Sequence, residues 1–520
     1  MARAAGGREF SLSIDPEIRR LTLSVLCLGF VGPTPPRWLL DALGDGLGGV
    51  VLFGSNLGDG RQVRTLTDAL RRAAGRDLLL AVDEEGGDVT RLDVQRGSSS
   101  PGAAALGYLD DVDTTEAVYR EIGARLADAG VTMNLAPVAD VNSDPLNPVI
   151  GLRSFGDDPA LVGRHVAAAV AGIQSAGVAA CIKHFPGHGA TRADSHHEVA
   201  YVLADRAGLD DVELRPFRDG IAAGARSVMT AHLMVPALDP DRLTTVSPVV
   251  NHDLLRGELG FGGAVFTDAL EMKAVSGTLG MVEGFVQALI AGADALETGA
   301  QDYPELVEQI PMAVAAALAD GRLSEARLRE ASARTASVAT LASPAAPGGP
   351  GGPGGPGAES EDAAWRAELV SGAALRSLQV SGVLPRLSRP LVIEARPPAG
   401  MASGELPWSF GEPLARRLPG VTVMAVSAGP DGAASIDPTE LTNTAAGRGL
   451  VVVVRDPQRH PWQLPLLELA AAHPEAVVVD VGWPSGADGP TPVIRTRGIA
   501  PGLLEAAAAT VVAAAAGERP

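Results

Sequence analysis

The first 340 residues alternate short apolar runs with longer stretches of helical spacing. The runs are Leu21–Phe30, Gly48–Phe53, Leu78–Val82, Val131–Ala136, Val178–Ile182, Ser227–Thr230, Ala264–Phe266 and Ala293–Leu296. None alternates apolar with polar residues as a half-exposed strand does, so each is expected to be buried on both faces, in a parallel sheet. Helical patterns lie between them, as at Ala117–Ala129, Pro159–Ala176, Leu214–Ala223 and Gly284–Ala291. Eight strand-then-helix units predict a (β/α)8 TIM-type barrel rather than an open sheet. Its last helices are expected between Tyr303 and Leu341.

The pattern breaks at Ser343-Pro344-Ala345-Ala346-Pro347 and the Gly-Gly-Pro repeats that run to Gly357. This tract is too short and irregular for collagen, and its prolines lack the N–H donors of a phosphate loop, so it reads as a linker. The predicted organisation is a catalytic barrel over 1–342, a Pro/Gly linker over 343–360 and a smaller α/β sandwich domain over 361–520. Apolar runs at Leu378–Val380, Leu391–Glu394, Val421–Val426, Leu450–Val454 and Val477–Val481 supply the second domain's strands. Leu464–Ala472 and Leu503–Ala516 read as its helices. His460 and His473 stand beside prolines and are expected in surface turns.

Composition narrows the function. A formal net charge of −20 disfavours nucleic acid, which requires basic patches. The apolar run Leu21–Val31 is too short for a membrane span and does not form a secretory leader, so the expected location is cytoplasmic. The two cysteines, Cys27 and Cys181, both fall in predicted strands and read as buried thiols.

Four of the nine histidines crowd into Lys183-His184-Phe185-Pro186-Gly187-His188-Gly189-Ala190-Thr191-Arg192-Ala193-Asp194-Ser195-His196-His197. This segment follows a strand, and barrels place their chemistry on the loops after strands. Other strand ends offer Asp83-Glu84-Glu85, then Asp140 and Asn142 with Arg153, then His232, Asp268 with Glu271, and Glu297. Asp268 alone would read better as a helix N-cap. In an extended segment Asp194 and His196 would point the same way, so Asp194 could orient the His196 ring; an Asx-turn with a surface histidine is the even alternative. Pro186 and Gly187 prevent a helix from presenting His184 and His188 together, and no cysteine or zincin glutamate accompanies them. No metal and no cofactor is expected. A serine hydrolase is disfavoured because no Gly-x-Ser-x-Gly elbow occurs.

These pieces resemble the family 3 glycoside hydrolases, in particular their β-N-acetylglucosaminidase branch. The resemblance rests on Val82-Asp83-Glu84-Glu85-Gly86-Gly87, Asn134-Leu135-Ala136-Pro137-Val138-Ala139-Asp140-Val141, Arg153-Ser154-Phe155, Lys183 to His188, Asp194-Ser195-His196 and Thr267-Asp268-Ala269-Leu270-Glu271-Met272, in family order. It implies that Asp268 is the nucleophile and His196 the general acid/base, oriented by Asp194. It implies that Asp83, Arg153, Lys183 and His184 hold the sugar hydroxyls. The implied activity is retaining exo-cleavage of N-acetylglucosaminides from chitin or peptidoglycan fragments. The alternatives are a phosphorylase using inorganic phosphate, a β-glucosidase and a non-catalytic sugar-binding protein. The chain departs from the family pattern at Glu84 (usually Gln), Asp88 (usually Arg) and Ala190 (usually Asp). The first two departures predict a more acidic rim, unfavourable to a carboxylate on the substrate.

Overall fold

The computed structural model describes residues 14–195, 198–341, 368–429, 433–436, 438–484 and 489–516. Eight strands pair in parallel in the order β8-β1-β2-β3-β4-β5-β6-β7. They are β1 (Leu26–Leu28), β2 (Gly49–Leu52), β3 (Leu79–Val82), β4 (Met133–Asn134), β5 (Ala179–Phe185), β6 (Ser227–Thr230), β7 (Ala264–Thr267) and β8 (Leu296–Glu297). A parallel bridge from Phe266 to Ala295 joins the last strand to the segment entering β8 and closes the barrel.

Both faces of these strands are apolar, as the unbroken runs predict. Cys27, Val51, Leu79, Ala81, Met133, Cys181, Met229 and Phe266 fill the interior. Their alternates, among them Leu26, Val50, Leu80, Ile182, Val228 and Val265, pack outward under the helices. Val338 and Ala339, on the helix Glu325–Leu341, join the interior cluster and plug it. Both cysteines are buried and free. The run Leu21–Phe30 is not one strand: Leu21–Leu23 ends the helix Pro16–Leu23, whose N-cap is Asp15, and only Leu26–Leu28 pairs. An apolar helix end and an apolar strand set side by side are indistinguishable by pattern.

The second unit is a six-stranded sheet in the order β9-β14-β13-β12-β10-β11. Its strands are β9 (Gln379–Ser381), β10 (Leu391–Ala395), β11 (Thr422–Val426), β12 (Leu450–Val454), β13 (Ala476–Asp480) and β14 (Val493–Arg495). Only β9 runs antiparallel, against β14. Leu414 and Leu504 cover one face of the sheet, and Leu441 and Leu466 the other. The Gly/Pro tract lies outside the described residues. Among the described residues no helix is long and apolar enough to cross a membrane.

The two units are bound by more than the linker. Ala105 of the barrel packs with Ala374, Ala500 and Leu503. The Arg497 guanidinium lies 3.5 Å from the centre of the Tyr108 ring. Arg376 pairs with Asp111, and Arg455 pairs with Asp88.

Candidate active site

The barrel strands deliver one charged network to their C-terminal ends. Asp83 and Glu85 follow β3, and their alternation in the chain turns both toward Lys183 at the end of β5. The Lys183 Nζ lies 2.5 Å from Asp83 Oδ1 and 2.7 Å from Glu85 Oε1. Arg153 clamps Glu85 from the other side, with Nε 2.9 Å and Nη2 2.8 Å from its two oxygens. Burial alone would raise the Glu85 carboxyl and lower the Lys183 ammonium. The opposite charges outweigh it, holding Glu85 well below the usual carboxylate range and Lys183 above its ordinary value. The site is therefore built from ionised, mutually fixed groups that can donate to and accept from hydroxyls.

His184 is placed by Asp140, whose Oδ2 lies 2.7 Å from Nδ1. Since a carboxylate can only accept, Nδ1 carries the proton. The other ring nitrogen faces Arg153 Nη2 at 3.3 Å. Asp140 also accepts from the His188 backbone N–H at 2.7 Å. The His188 ring turns away from the mouth: Nδ1 meets Thr191 Oγ1 at 2.7 Å and Nε2 meets Ser195 Oγ at 3.1 Å. Burial pushes the His188 imidazole down to about 4, so it is a neutral strut inside its own loop. Gly187 and Gly189 permit this tight path. Gly187 has φ +129° and a Cβ there would stand 2.7 Å from Glu213 Cβ, while one on Gly189 would collide with the Val141 carbonyl.

Asp194 is half-buried, and its carbonyl accepts from the Glu198 N–H at 3.0 Å. His196 and His197 lie outside the described residues.

Asp268 follows β7, its N–H donating to Thr230 and its Oδ1 accepting from the Ala269 N–H at 2.8 Å. The next helix begins only at Lys273 with Met272 in the cap position, so Asp268 does not cap it. His232 Nε2 donates to the Ala269 carbonyl at 3.0 Å and steadies the adjoining peptide. Beneath them sits Glu297, buried, with its carboxyl raised well above the ordinary range by burial and by Asp83, Asp268 and Glu271. That shared electrostatic neighbour ties the Asp268 side of the mouth to the Asp83–Lys183 side.

Two expectations about the rim are corrected. Glu84 is buried and points away from the network, its Oε2 accepting from the backbone of Arg91 and Leu92. Asp88 is neutralised by Arg455 Nη2 at 2.6 Å. Neither makes the rim acidic. His460 follows the turn at 457–459, as expected beside a proline, and that turn lines a cleft of about 390 Å³ with Arg153 and Asp194 on the barrel side.

A family model, the glycosyl hydrolase family 3 N-terminal domain, matches residues 39–338. The chain belongs to glycoside hydrolase family 3. A protein named beta-hexosaminidase from Xylella fastidiosa (strain M12) is 38% identical over 301 residues, covering 56% of this chain and 87% of that one. Beta-hexosaminidase A of Pseudoalteromonas piscicida is 34% identical over 319 residues, 56% of this chain; the match spans 53% of that longer protein. The solved family 3 beta-N-acetylglucosaminidase from Paenibacillus sp. str. FPU-7 is 31% identical with a TM-score of 0.84. It covers 95% of this chain and 96% of its own, so the likeness includes the second domain.

Within this family 3 barrel, Asp83, Arg153, Lys183 and His184 stand in one contact network, and Asp268 stands on the same mouth. Glu85 and Asp140 are the residues whose parts sequence reasoning left unassigned. Their signal was available in Glu85, two residues from Asp83 and therefore on its face of the chain.

Proposed function

We propose that the chain removes terminal N-acetylglucosamine from β-glycosides with retention of configuration. Asp268 attacks the anomeric carbon while protonated His196, oriented by Asp194, gives its proton to the glycosidic oxygen. The bond to that oxygen breaks and the leaving group departs as an alcohol. Neutral His196 then takes a proton from water, whose oxygen displaces Asp268 and releases the free sugar. Most retaining glycosidases divide these tasks between two carboxylates. An imidazole titrating near neutrality serves both proton transfers equally well. Asp83, Lys183, Arg153 and His184 hold the sugar's hydroxyls. The observation that carries the reading is the Asp83–Lys183–Glu85–Arg153 network, buried at Lys183 and Glu85, on the same mouth as Asp268. It is too highly charged to serve packing alone, and it stands in a chain similar to named beta-hexosaminidases.

The test is mechanism-based trapping with a 5-fluoro N-acetylglucosaminyl fluoride, followed by peptide mapping. A glycosyl adduct on Asp268 is expected; an adduct elsewhere overturns the assignment. Running the turnover assay in phosphate buffer separates hydrolysis, which yields free sugar, from phosphorolysis, which yields glycosyl phosphate.

A further inference from the structure

One carboxyl in the floor of the barrel mouth takes no part in the sugar-holding network. Glu297 ends β8 and is 3% exposed. Side chains alternate along a strand, and those of Ala81, Cys181, Phe266 and Ala295 fill the barrel interior. Continued toward the mouth, the same inward rows end in Asp83, Lys183, Asp268 and Glu297. The register agrees, since Glu297 pairs with Cys27, another interior residue. The parallel bridge from Phe266 to Ala295 sets β7 beside β8. The next inward residues of those two chains are Asp268 and Glu297, which therefore stand as neighbours across the strands.

Backbone bonds hold this pairing in place. The Glu297 N–H donates to Thr267 Oγ1 at 3.0 Å, and the Glu297 carbonyl accepts from the Leu270 N–H at 3.1 Å. Glu271 Oε1 accepts from the Gly299 N–H at 2.6 Å. The segment that carries Asp268 is thus tied on both sides to the chain around Glu297.

Glu297 Oε2 is buried with no hydrogen-bond partner. Left ionised there, it would carry a desolvation cost that nothing offsets. Lys183, the cation at this level, is engaged by Asp83 and Glu85. Burial accordingly raises the Glu297 carboxyl well above the ordinary range, and Asp83, Asp268 and Glu271 raise it further against the pull of Lys183. The thiols of Cys27 and Cys181 are raised by burial as well and add no charge. As the neutral acid, Glu297 has one O–H to give. Asp83 already accepts from Lys183, and Glu271 from Gly299. The register offers Asp268 as the acceptor.

We propose that Glu297 is a positioning residue for the nucleophile, donating its O–H to the Asp268 carboxylate and lowering the basicity of that carboxylate. This rests on Asp268 being the nucleophile. A less basic carboxylate attacks the sugar less readily but leaves it more readily, so the donor favours the step in which water displaces Asp268. The full-length protein is assayed on 2,4-dinitrophenyl N-acetyl-β-glucosaminide, whose aryl oxide departs easily. On this substrate kcat reports release of the sugar from Asp268, and kcat/KM reports the attack. For Glu297→Met, which keeps the bulk and lacks the donor, kcat is expected to fall about tenfold or more while kcat/KM does not fall. Glu297→Gln keeps a neutral donor and is expected to hold both constants near wild type. Equal falls in kcat and kcat/KM for the Met variant, as a merely structural role would give, overturn the proposal. A Gln variant with kcat down tenfold or more also overturns it, and decides alone if the Met variant does not fold. A wild-type protein that does not turn the glycoside over overturns the glycosidase reading instead, and the role of Glu297 with it.

Discussion

Asp140 grips His184 at two points, by the ring Nδ1 at 2.7 Å and by the backbone N–H at 3.2 Å. Burial would raise the Asp140 carboxyl, but His184 and His188 outweigh it and keep it below its ordinary value. An ionised Asp140 therefore sets which nitrogen of His184 faces Arg153 and the mouth. Asp140→Asn keeps the shape but presents an amide that can donate as well as accept. The expected result is a fall in kcat/KM of about 10- to 100-fold, the value of a charge-assisted hydrogen bond. Steady-state kinetics together with a melting curve check it; an unchanged kcat/KM would show that the His184 tautomer does not matter.

Asp88 and Arg455 are 367 residues apart in sequence and meet with side chains 6% and 21% exposed. A pair so shielded resists screening by salt more than a surface pair does. In a double-mutant cycle of Asp88→Asn and Arg455→Met, we expect a coupling of about 1–3 kcal/mol in unfolding free energy. Additive losses would mean that the Asp88–Arg455 pair adds nothing to the other contacts that hold the units together, among them the apolar cluster around Leu503, the Arg497–Tyr108 contact and the Arg376–Asp111 pair.

The barrel was legible because its strands are buried on both faces, leaving runs such as Leu78–Val82 without polar interruption. The same logic found β12 and β13 but missed β14, whose three residues end in Arg495 and follow Gly489-Pro490-Thr491-Pro492. Of the candidate site, the residues at strand ends were legible, because a polar group directly after an apolar run must emerge at the mouth. What was hidden depends on distance in the chain. Nothing local to Asp88 announces Arg455, and nothing local to His460 announces that its turn faces Asp194. In the sequence, Asp88 in place of the family's arginine predicts added acidity. The structure places an arginine against it, supplied by the second domain.

The acid/base assignment of His196 makes a prediction about leaving groups. A general acid matters most where the departing oxygen is a poor leaving group and little where it is already stable as an anion. His196→Ala is expected to lose far more activity on chitobiose than on an activated aryl glycoside. The dependence of kcat/KM on leaving-group pKa should steepen accordingly. Equal losses across the series would remove His196 from that role.

Glu213 lies buried against the Gly187 turn, and its Oε2 has no hydrogen-bond partner. Burial, with a contribution from Asp140, pushes its carboxyl up to about 8. The folded protein therefore keeps this proton up to that pH, whereas the unfolded chain releases it near the ordinary value of about 4.3. Between those two values the folded state binds more protons, so stability falls as pH rises. Glu213→Gln removes the titration while keeping the shape. Asp480, raised by burial to about 7, titrates in the same sense in both proteins, so the difference between them isolates Glu213. The Gln variant's advantage over wild type should grow by about 1.4 kcal/mol per pH unit between roughly pH 5 and 8. Urea unfolding at pH 5, 6.5 and 8 measures it. Parallel stability curves for the two proteins would mean that Glu213 is already ionised in the fold and that the histidine loop is packed against a charge.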